Sequence, residues 1–520
     1  MQQQLPTSPD LSHLKKQAKS LLRSARAGDT AALQRFIDSL PAAQHTTLSA
    51  LASRELKLHD AHSVIAREHG FKSWAHLSDH VQMMSAVKRR TPTEIWLLAA
   101  YSRSPGTLRY ARSQLRAEPE RLRGDPWVAC AIGDVDAVRD AFASSAASVN
   151  TPGGPHAMPP LVAVTHSRFI SEPDLEPGLL SSAKLLLDSG ANVDVVWSDP
   201  ESPESQLSAL YGATGITRNI AMTKLLLDAG ANPNDNESLY HSLESSDSTI
   251  TRMLLQHGAR VSGTNALGRV LDFDKLDDLR LLLEHGGDAN ESPWLHHAIM
   301  RGRSLAHIRA LLDAGADMRR ANDHGVSLFR FAQAFGRSDV VQLLRDAGID
   351  EPLDDAEQFV AACARGDERT ARAMLERTPD MVSRLTSMQL KTMPELASTG
   401  NIAGVRTMLA LGWPREVKTA WDATALNLAV YRGDAEMAEL LLENGADWRT
   451  PHGYRSNVIG TLSFASQDEA MEQPAPRDYA GCARTLLAHG VPTPSEDEFS
   501  FSSEVTAIFD AARAAHGDAG

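Results

Sequence analysis

Leucines recur along the chain in short runs, and a glycine follows each run at a nearly fixed distance. Leucines at 185–187 precede Gly190, and leucines at 225–227 precede Gly230. Nine such glycines, with one further copy that has Thr378 in the glycine's place, span residues 190–490 at a mean spacing of about 33 residues. A period of this length is typical of repeat proteins that stack one short structural unit on the next.

A second glycine keeps its own offset from the first. Gly302, Gly336, Gly400 and Gly433 come 12 or 13 residues before the glycine that follows a leucine run. Asp or Asn follows several of them, as in Gly433-Asp434. Glycine supplies the left-handed turn that ends a helix, and Asp or Asn caps the next helix. We therefore predict a helix, a tight turn, a second helix with a buried leucine stripe, and a loop. Unrelated amphipathic helices would not share these offsets over ten copies.

The clearest copy begins at Thr424 and reads TALNLAVYRGD, and it continues from Leu440 as LLLENGAD. This copy resembles the ankyrin-repeat family, although Ala425 and Asn427 stand where that family has Pro and His. The resemblance implies an all-α fold, an ankyrin-type helix-turn-helix repeat solenoid with divergent capping units. Arginine outnumbers lysine 41 to 11, which favours a bacterial member of the family.

The repeat pattern also divides the chain. We expect residues 1–123 to form a basic helical N-terminal region with divergent repeat-like helices and a cap. Residues 124–490 should form the solenoid of about ten units, clearest over 179–490. Residues 491–520 should form a C-terminal capping helix and a frayed tail.

Some segments depart from the regular repeat. Units within 231–292 are only 28 residues long, so their first helix or hairpin should be shortened. Near the N-terminus, a helix should end at Gly70, with Phe71 packing back and Ser73 capping a helix that starts at Trp74. The insertions should project as loops, where repeat proteins often bind partners; they lie near 146–178, 196–208 and 450–480.

Composition narrows the class of protein. The chain has 520 residues, 42% of them hydrophobic, and a net charge of −14, so it is too apolar for general disorder. The longest apolar run is far short of the ~20 residues that cross a bilayer. Three cysteines cannot form a disulfide framework, and no secretory signal is visible. We expect a cytoplasmic protein with no membrane span.

The net charge is unevenly distributed. Residues 1–123 carry a balance of +9, and the remaining residues carry −23. Lys15, Lys16, Lys19, Arg23 and Arg26 share one helical stretch, with leucines and alanines at helical spacing between them. An alternative function follows, in which this basic region binds nucleic acid or an anionic surface. A basic region that only complements the acidic remainder is also open, and without a nucleic-acid motif we do not expect nucleic acid as the partner.

Candidate chemistry is sparse. The chain has no phosphate-binding Gly-x4-Gly-Lys loop, no Gly-x-Ser-x-Gly elbow and no His-Glu-x-x-His motif. Cys130, Cys363 and Cys482 fall in helices at positions that suit small buried residues, so we interpret them as core. The pairs His59/His62 and His76/His80 have metal-ligand spacing but no cysteine nearby, which favours solvated or capping roles. We predict no enzyme activity, catalytic residue, metal or cofactor.

A binding function remains. The resemblance implies a non-catalytic scaffold or adaptor, monomeric, that binds a protein partner through a concave surface and loop tips. A secreted effector and a toxin-immunity factor are further alternatives. Aromatic and arginine side chains near predicted tips are the candidate anchors. These are Trp197, Trp294, Arg319, Arg320, His324, Trp413, Trp448, Tyr454 and Arg455.

Overall fold

A computed structural model describes most of the chain. The described residues are all of 1–520 except 1–10, 40–42, 44–45, 53–55, 72–73, 75–76, 78–80, 82–89, 103–104, 118, 123, 144–147, 199–204, 420–421, 455, 468–476, 495–498 and 518–520. The chain forms two compact regions. Region 1 comprises residues 1–192 and 199–201, and region 2 comprises 193–198 and 202–520.

The described part of region 1 is helical. Its helices are α1 (Leu11–Arg26), α2 (Thr30–Ser39), α3 (Leu48–Ala52), α4 (Leu58–Glu68), α5 (Pro92–Ala100), α6 (Pro105–Ala117), α7 (Pro119–Leu122), α8 (Pro126–Ile132), α9 (Val135–Phe142), α10 (Pro160–Thr165) and α11 (Glu176–Asp188). Short 3-10 turns lie at Ser148–Asn150 and Arg168–Ser171.

Region 2 is a succession of helix pairs preceded by one hairpin. The hairpin strands are β1 (Val196–Ser198) and β2 (Gln206–Ser208), which pair antiparallel. The helices are α12 (Ala209–Tyr211), α13 (Ile220–Asp228), α14 (Ser238–Ser242), α15 (Thr249–Gln256), α16 (Ala266–Asp272), α17 (Leu276–Glu284), α18 (Trp294–Met300), α19 (Leu305–Asp313), α20 (Leu328–Ala334), α21 (Ser338–Asp346), α22 (Asp355–Ala364), α23 (Glu368–Arg377), α24 (Met381–Arg384), α25 (Ser387–Leu390), α26 (Thr392–Thr399), α27 (Ile402–Ala410), α28 (Ala425–Arg432), α29 (Ala435–Glu443), α30 (Val458–Ala465), α31 (Tyr479–Ala488) and α32 (Ser503–Gly517).

The predicted turn chemistry is confirmed. Gly400 and Gly433 sit between the two helices of a pair with φ of 77° and 69°, in the left-handed region. The next residue caps the second helix. The Asn401 side chain accepts a hydrogen bond from the Gly404 N–H at 2.9 Å, and the Asp434 side chain accepts one from the Met437 N–H at 3.1 Å. Each cap satisfies a backbone donor that the first helical turn leaves unpaired.

The leucine stripe forms the core of the repeats, as predicted. The second-helix leucines at equivalent positions are fully buried: Leu226, Leu254, Leu282, Leu311, Leu344 and Leu441. First helices contribute small residues, such as Ala298, Ala332 and Ala429, also at 0% exposure. Small residues there let neighbouring helices approach closely, so each pair buries its apolar faces against the next.

In several repeats, a side chain in the loop after the second helix forms hydrogen bonds with the corresponding loop of the next helix pair. Asn290 lies four residues after Gly286; its amide donates to the Gly315 carbonyl at 2.8 Å, and its oxygen accepts from the Asp317 N–H at 2.8 Å. Asn234 repeats both bonds with Gly258 and Arg260. Ser262 makes the same two bonds, and Asp194 and Glu416 supply the acceptor half alone. We call these contacts loop clamps.

The first-helix shortening predicted within 231–292 is present in one unit. Helix α14 has only five residues, whereas α16 has seven, as many as α18 and α20. At the N-terminus, α4 ends before Gly70, and Phe71 and Trp74 pack on the hydrophobic cluster of α1–α4 as predicted. Ser73, the predicted cap, lies outside the described residues.

In the described part of the chain, no helix is both long enough and apolar enough to span a bilayer.

Candidate partner-binding surface

Two aromatic side chains face solvent side by side on consecutive first helices of region 2. Tyr431 of α28 and Phe464 of α30 stack with ring centroids 6.3 Å apart and an interplanar angle of 7°. Phe464 is 56% exposed, and Tyr431 is partly exposed. Because large apolar side chains usually leave water, an exposed stacked pair is an available contact site.

Earlier first helices carry no aromatic residue at the same position, two residues before the turn glycine. The residues there are Met300, Ala334, Ala364 and Ser398. The aromatic pair is thus a local departure from the repeat. The sequence contained the signal, because Tyr431 and Phe464 lie 33 residues apart, one repeat length. Loop-based reasoning missed both residues because they lie on helices.

Earlier in region 2, the chain itself packs against the surface that the first helices form. A Cβ added to Gly302, after α18, would lie 3.1 Å from the Cβ of Thr399 at the end of α26. Burial raises the pKa of the Glu395 carboxyl on α26, and the nearby Arg301 guanidinium opposes that effect. The face between α18 and α26 is therefore occupied by the chain itself, whereas the α28–α30 end is accessible.

A loop tip next to the α28–α29 pair presents further aromatic and basic groups. Trp448 is half-buried beneath Arg449, whose guanidinium carbon lies 4.5 Å from the ring centroid. Tyr454 is 75% exposed and meets His452 edge-on at 6.0 Å. The tip is held in place, since the Asp447 N–H donates to Glu416 at 2.9 Å.

Three predicted anchors lie in the core. Trp197, Trp294 and Trp413 are 8%, 6% and 2% exposed, so their placement at accessible tips was wrong. Trp413 shows the reason: its indole N–H donates to the Leu390 carbonyl at 3.0 Å, and its ring stacks on Phe359. Each of these rings already fills space within its own repeats, so it offers no surface to a partner.

Three other predicted anchors lie in the loop before α20. Arg319 and His324 are exposed, and Arg320 is partly exposed, with its guanidinium donating to the Asn290 carbonyl. Arg319 occupies the loop-clamp position, four residues after Gly315. An arginine side chain has no hydrogen-bond acceptor, so it cannot hold the next loop as Asn290 does. Arg455 lies outside the described residues.

A charged cluster lies near the hairpin end of region 2. Glu244, 11% exposed at its side chain, pairs with Arg218 at 3.2 Å, with His241 at 2.9 Å and with Arg269. Burial alone would raise the pKa of Glu244, but hydrogen bonds from His241 and Arg269 lower it to about 2. The charges of this cluster are paired with one another, so it presents no free charge to a partner. The lowered pKa of Glu244 means that its ionised form contributes to folding stability.

The second helices bound one shallow cavity of about 380 Å³. Arg406, Glu436, Glu439, Glu443 and Thr485 line it, together with two apolar residues. All three glutamates are exposed to solvent. A site that leaves its carboxylates in water gains little from electrostatic attraction, so we place the candidate surface on the first helices.

The chemistry of the described residues is consistent with binding. The three cysteines are fully buried, as predicted. Burial raises the pKa of Cys363 and of Cys482 to about 12 and also raises that of Cys130, so none is a ready thiolate nucleophile. No group of three His, Cys, Asp or Glu side chains in the described residues is placed to hold a metal ion. His62 stacks on Trp74 at 4.1 Å, whereas His76, His80 and the His59 side chain lie outside the described part.

Comparison with known proteins supports the repeat pattern at the level of sequence. Residues 421–451, which contain α28 and α29, match the ankyrin-repeat family model. The human ASB11 ankyrin repeat domain is similar at 20% identity and a TM-score of 0.33, over 44% of this chain and 100% of that one. The ankyrin repeat domain of Bcl-3 is similar at 17% identity and a TM-score of 0.20, over 47% and 96%. No curated protein sequence matches. With the helix pairs described above, the match at 421–451 confirms the predicted all-α ankyrin-type repeat fold.

Proposed function

We propose that the chain is a non-catalytic protein-binding scaffold, cytoplasmic and monomeric, whose partner docks at the α28–α30 end of region 2. The observation that carries this proposal is the exposed, stacked pair of Tyr431 and Phe464. Aromatic side chains are enriched among the few residues that dominate binding energy at protein interfaces. The repeat type itself is generally an interaction module, which supports a protein as the partner.

The loop tip before α30 offers a second set of contacts, at the opposite end of that helix from Phe464. Tyr454 and Arg449 offer an aromatic and a cationic contact in loops that Glu416 and Lys418 tether to the preceding repeat. A tethered loop loses less conformational freedom on binding, so more of the contact energy becomes affinity. We therefore expect Tyr454 to contribute as a peripheral contact and Phe464 as the central one.

Site-specific cross-linking tests the proposal in cells that express the protein. A photoreactive amino acid at Phe464 should give a discrete protein adduct, identified by mass spectrometry. The matched control is Ile220, which is 43% exposed on a second helix. Both substitutions change an exposed apolar side chain, so neither should alter folding. Identical adducts from both positions, or none from Phe464, would contradict the proposed location.

Once an adduct is identified, the purified partner allows a quantitative test. The variant Phe464→Ala should weaken binding by about 1–2 kcal/mol, roughly 5- to 30-fold in Kd. The variant Ile220→Ala should bind like the parent chain. Calorimetric melting of both variants provides the folding control, and unchanged affinity of Phe464→Ala in a folded chain would exclude the aromatic pair as the anchor.

A further inference from the structure

Four cations form a strip along α1 in region 1. Lys15, Lys16, Lys19 and Arg23 are all exposed. At 3.6 residues per turn and 1.5 Å rise, they fall within an arc of about 100° and a length of about 12 Å. The opposite side of the helix is buried, since Leu14, Ala18, Leu21 and Ala25 lie in the N-terminal hydrophobic cluster. We call these four residues the α1 strip.

The α1 strip has no counter-charge on its own helix. The segment Leu11–Arg26 contains no Asp or Glu. Among the described residues, no ion pair joins any of the four cations to a carboxylate. Other basic groups nearby are committed elsewhere: Arg26 donates to the Leu56 carbonyl at 2.7 Å, and Arg35 pairs with Glu68 at 2.7 Å. The strip is therefore a local concentration of uncompensated positive charge in a chain whose net charge is −14.

The residue types in the α1 strip indicate which chemical class of partner it binds. Three of the chain's 11 lysines lie in this strip, although the chain has 41 arginines. Arginine suits directional, bidentate contacts to individual phosphates, whereas lysine is a hydrated point charge on a flexible stem. A lysine-rich strip thus favours attraction to a diffuse charged surface over recognition of fixed phosphate positions.

The arrangement of the four cations on one side of α1 further limits the class of partner. A helix in the major groove of a duplex meets a groove wall on each flank, but the strip occupies one arc of α1. Single-stranded nucleic acid is gripped by exposed aromatic rings, and none of the large exposed apolar side chains lies between residues 11 and 81 in the described part. A planar anionic surface matches cations that all point to one side.

We propose that the α1 strip binds the anionic surface of a lipid bilayer. The attraction is electrostatic, because the apolar face of α1 is already buried and does not insert between lipid chains. Each basic residue near such a surface improves partitioning roughly fivefold, so four give a weak, reversible and salt-sensitive association. The interaction is separate from the partner surface proposed on region 2.

Vesicle sedimentation of the full-length chain tests this proposal. The chain should sediment with vesicles of phosphatidylserine in phosphatidylcholine and remain in solution with phosphatidylcholine alone. The double variant Lys16→Gln/Lys19→Gln should partition roughly 20- to 30-fold less. The matched control Lys184→Gln/Lys224→Gln makes the same charge change at lysines that pair with Asp188 and Asp228 on second helices. It should sediment like the parent chain.

Further arms distinguish the possible outcomes. If the double variant melts at a lower temperature than the parent chain, the single variant Arg23→Gln replaces it. Its partitioning onto the vesicles should fall about fivefold. Equal binding to both vesicle types, an equal loss in the strip and control variants, or binding that survives about 0.5 M salt would overturn the proposal. The proposal would also be overturned if the same residues bound duplex DNA more tightly than they bind the vesicles.

Discussion

The two glycines of a single helix pair should respond very differently to the same substitution. Gly336 lies in the turn between α20 and α21, and Gly348 follows α21; their φ angles are 68° and 75°. A Cβ on Gly336 would lie 2.4 Å from the Ala364 carbonyl oxygen at the end of α22, whereas a Cβ on Gly348 would meet nothing within 4 Å. The conformational requirement is shared, and only the steric one differs.

The magnitudes follow from those two terms. Alanine in the left-handed region costs about 1–2 kcal/mol, and this applies to both sites. Gly336→Ala additionally forces α22 away from its packed position, which costs about 1–3 kcal/mol more. We expect Gly348→Ala to lower the free energy of unfolding by about 1–2 kcal/mol, and Gly336→Ala by about 2–5 kcal/mol.

Urea unfolding followed by circular dichroism measures the difference, and hydrogen exchange of α20–α22 locates it. Hydrogen exchange is needed because long repeat arrays can unfold in parts. Asparagine variants separate the two terms, since Asn tolerates the left-handed region but still carries a Cβ. Gly348→Asn should approach the parent stability, and Gly336→Asn should stay destabilised. Equal losses at the two sites, or rescue of both by Asn, would refute the steric argument.

Two further predictions concern buried titratable groups. The pKa of Glu244 is lowered from 4.5 to about 2 in the folded chain, so its contribution to stability is present above about pH 4.5 and is lost as the pH falls towards 2; Glu244→Gln should flatten the acid limb of a melting-temperature profile, and the exposed control Glu284→Gln should not. The three buried cysteines should resist iodoacetamide in the native chain at about pH 8 and react fully after unfolding; mass spectrometry that finds a carbamidomethyl group on any of them under native conditions would contradict their assignment to the core.

The repeat fold could be predicted from sequence because its requirements are local. A left-handed turn at Gly433 needs glycine, the following helix needs the cap at Asp434, and burial needs the leucine stripe that ends near Leu441. Each requirement constrains residue type at a fixed offset, so the pattern repeats visibly. The same locality explains why the short α14 could be anticipated from the shortened spacing alone.

The surface was harder to predict, because one residue type serves both core and tip. Trp413 directly follows its loop glycine, stacks on Phe359 and is buried. Trp448 lies three residues after Gly445, beneath Arg449, and is half-exposed. The residue directly after the loop glycine is buried in other repeats too, as at Ala231, Ala316 and Ile349, so the offset from the glycine separates core from tip. Phe464 stays 56% exposed although the C-terminal segment packs beside α30, where the Ser463 hydroxyl donates to the Ser500 carbonyl.

The loop clamps join neighbouring loop tips in one part of region 2 by hydrogen bonds. From Asp194 to Asp317, successive loops are joined by hydrogen bonds from one to the next, so a ligand that orders one tip restrains its neighbours as well. Arg319 interrupts this series, because its side chain has no acceptor. Loops before Arg319 therefore form a stiff edge, suited to a partner of fixed shape. The loop that follows it is held instead by the first helix α20 and its cap, since Ser327 and Arg330 donate to Glu351 and Arg330 also donates to the Pro352 carbonyl.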